Sequence, residues 1–350
     1  MRRGLIARSL VELPDAVFDA RLKRLRAAMR GAGIDALVVY TNNTRTAGVS
    51  WLTGFVPYWS EALLVVPRDG APVLVVALSF RVKSWIERTS RIGEVLHTPR
   101  IGLKAGDYLD ATHTGAAVGV VDFDTLPAGI FADLREGGPS LVLRDASALF
   151  AGLRSRSDPA EVALALHAAG IAHSALRAVK NGDPLNATIA GVEGAARELG
   201  AEEVYIAAAP DLDRDARFVR IEGDAAAASF FALRASVAYK GVWVRLVRTF
   251  GAPDVARAAA ERLAGAVASL PDGSGFADFA AFTVEGARTT GPLEALMGSS
   301  FGAPHPPPPG ALVSVQGVIG IDGRSVPVGA PALVGRDGET ASLLVDPQFD

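Results

Sequence analysis

Three arginines, Arg234, Arg245 and Arg248, fall within FFALRASVAYKGVWVRLVRTF, residues 230 to 250. Strand alternation would put Arg234 on one face with Ala232 and Ser236, and Arg245 on one face with Trp243 and Val247. A guanidinium keeps its charge at any accessible pH and, in a concave site, grips a carboxylate or phosphate through two parallel hydrogen bonds. Such a site would hold a small anion, and an arginine within it could stabilise a developing oxyanion. The structural alternative is that these arginines pair with nearby acids such as Glu222 or Asp224, or reach solvent.

His305, ahead of four prolines, titrates near neutrality and is a candidate general acid/base, with a surface loop histidine as the alternative. Gly298-Ser-Ser-Phe-Gly302 matches a Gly-x-Ser-x-Gly elbow, which requires a strand before it and a helix after it. Here the helical stretch Pro292-Leu-Glu-Ala-Leu-Met297 precedes and a proline loop follows, which weighs against Ser300 as a nucleophile. His167 and His173 stand about 240° apart on one helix, so they cannot chelate together and are expected to pack. His97 and His113 have no chelating spacing. The chain has no cysteine, which excludes disulfides, thiolate metal sites and cysteine nucleophiles.

These residues need a scaffold, and 350 residues with 49% hydrophobic and 21% charged content can build two domains with large cores. A net charge of −3 with both signs interspersed gives no general attraction to nucleic acid or anionic membranes. The N-terminus lacks the form of a signal peptide and no apolar run is long enough to span a bilayer, so a cytoplasmic protein is expected. Phe18, Leu22, Leu25 and Met29 mark a helix, followed by strands at 35–40, 62–67, 72–77 and 119–122. Asp158-Pro-Ala-Glu161 offers an N-cap, a proline at N1 and a glutamate at N3 for a helix with Val162, Leu166, Ala169, Leu176 and Val179 as its stripe. Further expectations are a helix over 184–199, strands at 204–209, 225–238 and 242–250 with a turn at Tyr239-Lys240-Gly241, a helix along Val255, Ala259, Leu263 and Val267, and strands at 312–321 and 332–335. The fold class is α/β (α+β), with domains expected at 1–152 and 153–350.

In this order the chain resembles the creatinase, prolidase and aminopeptidase P family. The likeness is carried by Arg21-Leu-Lys-Arg-Leu-Arg-Ala-Ala-Met29, Gly33-Ile-Asp-Ala-Leu-Val-Val-Tyr40, Trp51-Leu-Thr-Gly-Phe55, Val66-Pro-Arg-Asp-Gly-Ala-Pro-Val73, Leu153-Arg-Ser-Arg-Ser-Asp-Pro-Ala-Glu161, Glu222-Gly-Asp224, Arg248-Thr-Phe250 and Leu333-Val-Gly-Arg-Asp-Gly338. It spans about residues 17 to 345. The resemblance implies a creatinase-like N-terminal domain, a C-terminal pita-bread domain and a homodimer, with Trp51, Tyr58 and Trp59 near a subunit contact or in the core.

Metallohydrolases of that family hold two divalent ions with two aspartates, a histidine and two glutamates. Carried over, those positions fall at Arg234, Arg245, Ser299, Gln316 and, to within a residue or two, Gly329. Two guanidiniums add positive charge where anionic oxygens are needed, at about 4 kcal/mol per like pair ~4 Å apart in an effective dielectric of ~20. No metal is therefore expected, nor any other cofactor. The metal-free histidine route of creatinase does not transfer, because its loop corresponds to Asp211–Ala216, which has no histidine. Arg234, Arg245, His305 and Gln316 become the catalytic candidates, and Ser299, Arg248 and Tyr239 the substrate-binding ones. Three functions follow: a metal-independent enzyme hydrolysing, cyclising or eliminating from a small anionic or amide-bearing metabolite, within specialised metabolism; a non-catalytic binding or scaffold protein; and an Xaa-Pro peptidase.

Overall fold

A computed structural model describes residues 9–57, 59–180, 182–270, 275–286, 307–336 and 338–348. The chain divides between Arg154 and Ser155 into two compact units.

The first unit opens on α1 (Asp15–Gly31), which buries Phe18, Leu25 and Met29 and half-buries Leu22, the side expected from their spacing. Then come β1 (Ala36–Asn42), α2 (Ala47–Thr53), β2 (Glu61–Pro67), β3 (Val73–Val76), α3 (Lys83–Thr89), β4 (Glu94–His97), α4 (Ile101–Thr112), β5 (Ala117–Val120), α5 (Ala128–Gly137), β6 (Val142–Asp145) and α6 (Ser147–Arg154). The six strands lie in the order β4-β3-β2-β1-β5-β6. β1 and β2 are covered on both faces, which is why Leu37–Val39 and Ala62–Val66 are unbroken apolar runs. One face packs on Met29, Trp51, Ile86 and Phe150, and the other on Leu109 of α4 and Leu134 of α5. Edge strand β6 was not foreseen, because Val142, Arg144 and Asp145 are exposed and carry no alternation.

The second unit opens on α7 (Pro159–Leu176) with the expected capping box. The Asp158 carboxylate accepts the Glu161 N–H at 3.0 Å, and the Glu161 carboxylate accepts the Asp158 N–H at 3.0 Å. Its buried side includes Ala169 and Leu176 of the expected stripe together with Leu164, Ala165, Ala168, Ala172 and Ala175, whereas Leu166 of that stripe is 47% exposed and Val179 lies past the end of the helix. The helix is apolar on nearly every side, so spacing alone could not select one.

There follow α8 (Leu185–Glu198), β7 (Glu203–Ala209), β8 (Phe231–Tyr239), β9 (Val242–Phe250), α9 (Pro253–Ala268), β10 (Phe279–Gly286), β11 (Leu312–Ile321), β12 (Arg324–Leu333) and β13 (Ser342–Leu343). β8 begins at Phe231 rather than Ala225. Upstream backbone groups are engaged elsewhere, the Ala225 carbonyl by Leu185 and the Ala228 N–H by Pro210. The β8–β9 hairpin turns through Lys240 and Gly241 at φ 46° and 80°, the left-handed pair that a two-residue hairpin favours.

The sheet runs β10-β11-β12-β9-β8-β7, with β13 beside β12, and its pairings are antiparallel. α7 packs on β8 and β9, and α9 on β12. The Tyr239 ring lies 4.2 Å from that of His167 on α7. Tyr239, Val237, Ala235 and Leu233 therefore look towards the helices, and Arg234 and Ser236 look away from them. Among the described residues no helix is long and apolar enough to cross a membrane.

Candidate functional site

Antiparallel register fixes which side chains share the face turned from the helices. Ala207, Arg234, Val247, Gly329, Gln316 and Thr283 form one continuous cross-strand row from β7 to β10. A neighbouring row holds Tyr205, Ser236 and Arg245 at one end and Ser314 and Glu285 at the other. Three of the positions that the resemblance sets against metal ligands, Arg234, Gln316 and Gly329, thus share one row, with Arg245 in the next.

Both arginines are buried, Arg234 to 4% exposure and Arg245 completely. A guanidinium nitrogen of Arg245 lies 2.9 Å from Glu285 Oε2, an ion pair whose angle is not that of a hydrogen bond. Glu285 was not foreseen as a partner, because Phe279–Gly286 was not read as a strand. The acids suggested by the sequence act elsewhere: Glu222 lies 3.8 Å from Arg220, and Asp224 accepts from Asn186.

Arg234 reaches over Val247 and Gly329 to place Nη1 3.5 Å from Gln316 Oε1, the long limit of a hydrogen bond, and its guanidinium lies 5.0 Å from the Phe218 ring centre. Burial first, and then the Arg245 charge, lower its pKa to about 10, against the opposite pull of Glu285 and Tyr205. It remains a cation at neutral pH. The backbone is bare at Gly329, where a Cβ would stand 2.9 Å from Gln316 Cγ and 2.9 Å from the Val315 carbonyl, so the glycine leaves room for the Gln316 side chain.

Prolines shape the neighbourhood. Pro327 and Pro331 of β12 have no N–H to offer, and between β12 and β9 the only registered pair is Gly329–Val247. The Thr249 hydroxyl donates to the Pro327 carbonyl at 2.8 Å, and the Arg245 N–H donates to Ser314 Oγ at 3.1 Å. Since the Gln316 oxygen faces Arg234, its Nε2 is left as a buried donor with no partner among the described residues, and Ser236 Oγ is likewise buried without one.

Two candidates are corrected. Arg248 pairs with Leu233, so it projects from the helix-facing side and not into the Arg234–Arg245 cluster. Tyr239 also faces the helices, against His167. Strand alternation accounts for both, since Arg245 and Arg248 are an odd number of residues apart, as are Arg234 and Tyr239. Ser299, Ser300, His305, the Gly298–Gly302 motif, the stretch 292–297 and Tyr58 lie outside the described residues. Trp51 is buried and Trp59 is 49% exposed.

The groups present do not suit hard divalent cations. Two guanidiniums and an amide offer almost no anionic oxygen, and among the described residues no three of His, Cys, Asp or Glu could hold a metal ion. Nor is Ser236 or Ser314 hydrogen-bonded to a histidine or carboxylate among the described residues.

Residues 21–156 match the model of the creatinase/prolidase N-terminal domain. Comparison with curated proteins finds no match. The fold is similar to that of a prolidase from Thermococcus sibiricus, at 17% identity and a TM-score of 0.67 over 95% of this chain and 98% of that one. It is also similar to an Xaa-Pro dipeptidase from Bacillus anthracis (17% identity, TM-score 0.70, 95% and 99% covered). A third similar structure is the N-terminal domain of the FACT complex subunit SPT16 from Cicer arietinum (14% identity, TM-score 0.62, 95% and 97% covered). The first unit is thus similar to the creatinase/prolidase N-terminal domain over residues 21–156. The chain as a whole has the fold of prolidases, with the pita-bread sheet as its second domain.

Proposed function

We propose that this protein is a metal-independent relative of the prolidases whose second domain binds a small carboxylate- or amide-bearing ligand on the Arg234–Gln316 row. One observation carries the reading: buried donors are gathered on a single sheet face, the guanidiniums of Arg234 and Arg245 beside a Gln316 Nε2 that has no partner among the described residues. Such donors match the oxygen acceptors of a carboxylate or carbonyl. The counter-charge at Glu285 supports an arginine pair that is a permanent part of the fold. The likeness to a domain of a complex subunit supports binding as a use of this fold. The homodimer and the cytoplasmic location implied by the resemblance belong to the same proposal.

A second reading has the same face turn its ligand over by hydrolysis, cyclisation or elimination. It is favoured by the Arg234–Gln316 contact, because a guanidinium and an amide N–H are donors that a developing oxyanion would use.

The deciding experiment combines elemental analysis with ligand screening. Protein purified from medium containing manganese, cobalt and zinc should carry none of them stoichiometrically and should leave Xaa-Pro dipeptides intact. Some small carboxylates or amides should raise its Tm, and Arg234→Gln should remove that rise. Stoichiometric metal with dipeptide cleavage would sink the proposal. Chemical conversion of a stabilising ligand, lost in Arg234→Gln while the fold persists, selects the second reading.

A further inference from the structure

Ahead of β8 the chain runs through four alanines, Ala225–Ala228, which form no strand. The run is pinned at both ends: the Leu185 N–H donates to the Ala225 carbonyl at 3.0 Å, and the Ala228 N–H donates to the Pro210 carbonyl at 2.9 Å. Between the pins, the N–H and carbonyl groups of Ala226 and Ala227 make no hydrogen bond among the described residues. Methyl side chains leave that backbone open to a second chain at strand spacing, about 4.8 Å away. The run lines a groove of about 870 Å³ whose two ends differ in chemistry. Towards Ala225 stand Lys180, Asp183 and Asp224; past Ala228 the wall is Phe231 and Gly251. Asp224 accepts from the neutral Asn186 amide at 3.1 Å, and exposed Asp183 has no ion pair among the described residues. Two carboxylates and one ammonium leave this end of the groove with a surplus negative charge.

From this geometry we infer that the groove docks an extended peptide segment of a partner protein. The segment lies along Ala226 and Ala227 and exchanges main-chain hydrogen bonds with them, as a strand does when it adds to an open backbone edge. A lysine or arginine of the segment meets Asp183 and Asp224, and an apolar side chain meets Phe231 at the other end. Main-chain pairing supplies affinity for many sequences, while the charged and apolar ends fix direction and select the basic residue. The groove is distinct from the Arg234 row: Phe231 stands two residues before Leu233 on β8 and so shares its helix-facing side.

Fluorescence anisotropy of the full chain with a labelled, capped peptide Lys-Thr-Val-Thr-Val at constant ionic strength tests this. Saturable binding is expected. Alternate N–H groups of an extended peptide point to opposite edges, so N-methylation of both threonines or of both valines should weaken binding about fivefold or more, the worth of one neutral hydrogen bond. Ala226→Pro or Ala227→Pro removes a donor that serves no bond within the chain, and one of the two should show a similar loss. Asp183→Lys, at an exposed position, should weaken binding about threefold or more and serves if the proline variants do not fold. A peptide with glutamate in place of lysine should bind more weakly by a similar factor. Affinity should stay within about twofold in Arg234→Gln. Absence of saturable binding, parity of both N-methylated peptides with the parent, undiminished affinity in all folded groove variants, or an equal loss in Arg234→Gln would each overturn the assignment.

Discussion

The two faces of the second domain's sheet handle arginine in different ways. On the face turned from the helices, Arg245 is wholly buried and meets Glu285 at 2.9 Å. On the helix-facing side, Arg248 is half-buried and Arg177 exposed, around a cavity that water can enter. Taking a guanidinium out of water costs several kcal/mol unless the fold supplies an acid opposite it. The first face therefore needed a built-in carboxylate, whereas on the second solvent helps to screen the charges and Glu261 and Asp346 line the same cavity. Arg245 and Arg248 are three residues apart on one strand. Alternation alone makes one part of the core and the other part of a cavity wall.

The sharpest way to break this contrast is to remove one half of the buried pair. Arg245→Ala leaves Glu285 stranded in the sheet and should cost about 3–5 kcal/mol in urea unfolding. The double variant Arg245→Met/Glu285→Leu should regain most of that, because apolar side chains of similar volume need no counter-charge. A loss below about 1 kcal/mol in Arg245→Ala would mean the pair is solvated, and the two faces would then not differ. Next in size is Gly329→Ala, whose Cβ would meet Gln316 Cγ and the Val315 carbonyl, each at 2.9 Å. Overpacking of this kind costs about 1–3 kcal/mol. Adding Gln316→Ala should return only part of it, since the carbonyl contact remains.

How far the sequence announced these faces depended on strand register. The hairpin around Lys240-Gly241 was legible from its turn residues, and the capping box at Asp158 from its spacing. The family likeness then singled out Arg234, Arg245, Gln316 and Gly329, and the four lie on one sheet face. Glu285 was hidden because Phe279–Gly286 begins with a register irregularity at Phe279/Ala281, and its residues 279–284 are all partly or well exposed, so no apolar alternation marks it. β12 was mostly hidden because Pro327, Gly329 and Pro331 argue against a strand. Arg248 was misplaced because its face follows from its pairing with Leu233, a fact of register rather than of composition.

Smaller effects should sharpen the contrast from the helix-facing side. Arg248→Gln, with its side chain beside a cavity, should change stability by no more than about 0.5 kcal/mol, far less than Arg245→Ala, in the same urea experiment.

The finest probe is His173, lowered from the ordinary histidine value by burial first, then by Arg177 and Arg248, with Asp346 opposing. A lowered pKa in the fold means that the unfolded chain takes up the proton first. Stability should therefore be unaffected above pH ~6.5 and should fall as pH drops from there towards the folded pKa. Replacing Arg248 by glutamine removes one repelling charge, so the His173 resonance in an NMR titration should move its midpoint upward, and the loss of stability on acidification should shrink. The burial contribution remains, so the midpoint should stay below the ordinary value. A midpoint that stays put in both Arg248→Gln and Arg177→Gln would show that these cations do not act on His173 through the cavity, and the electrostatic half of the contrast between the two faces would fall.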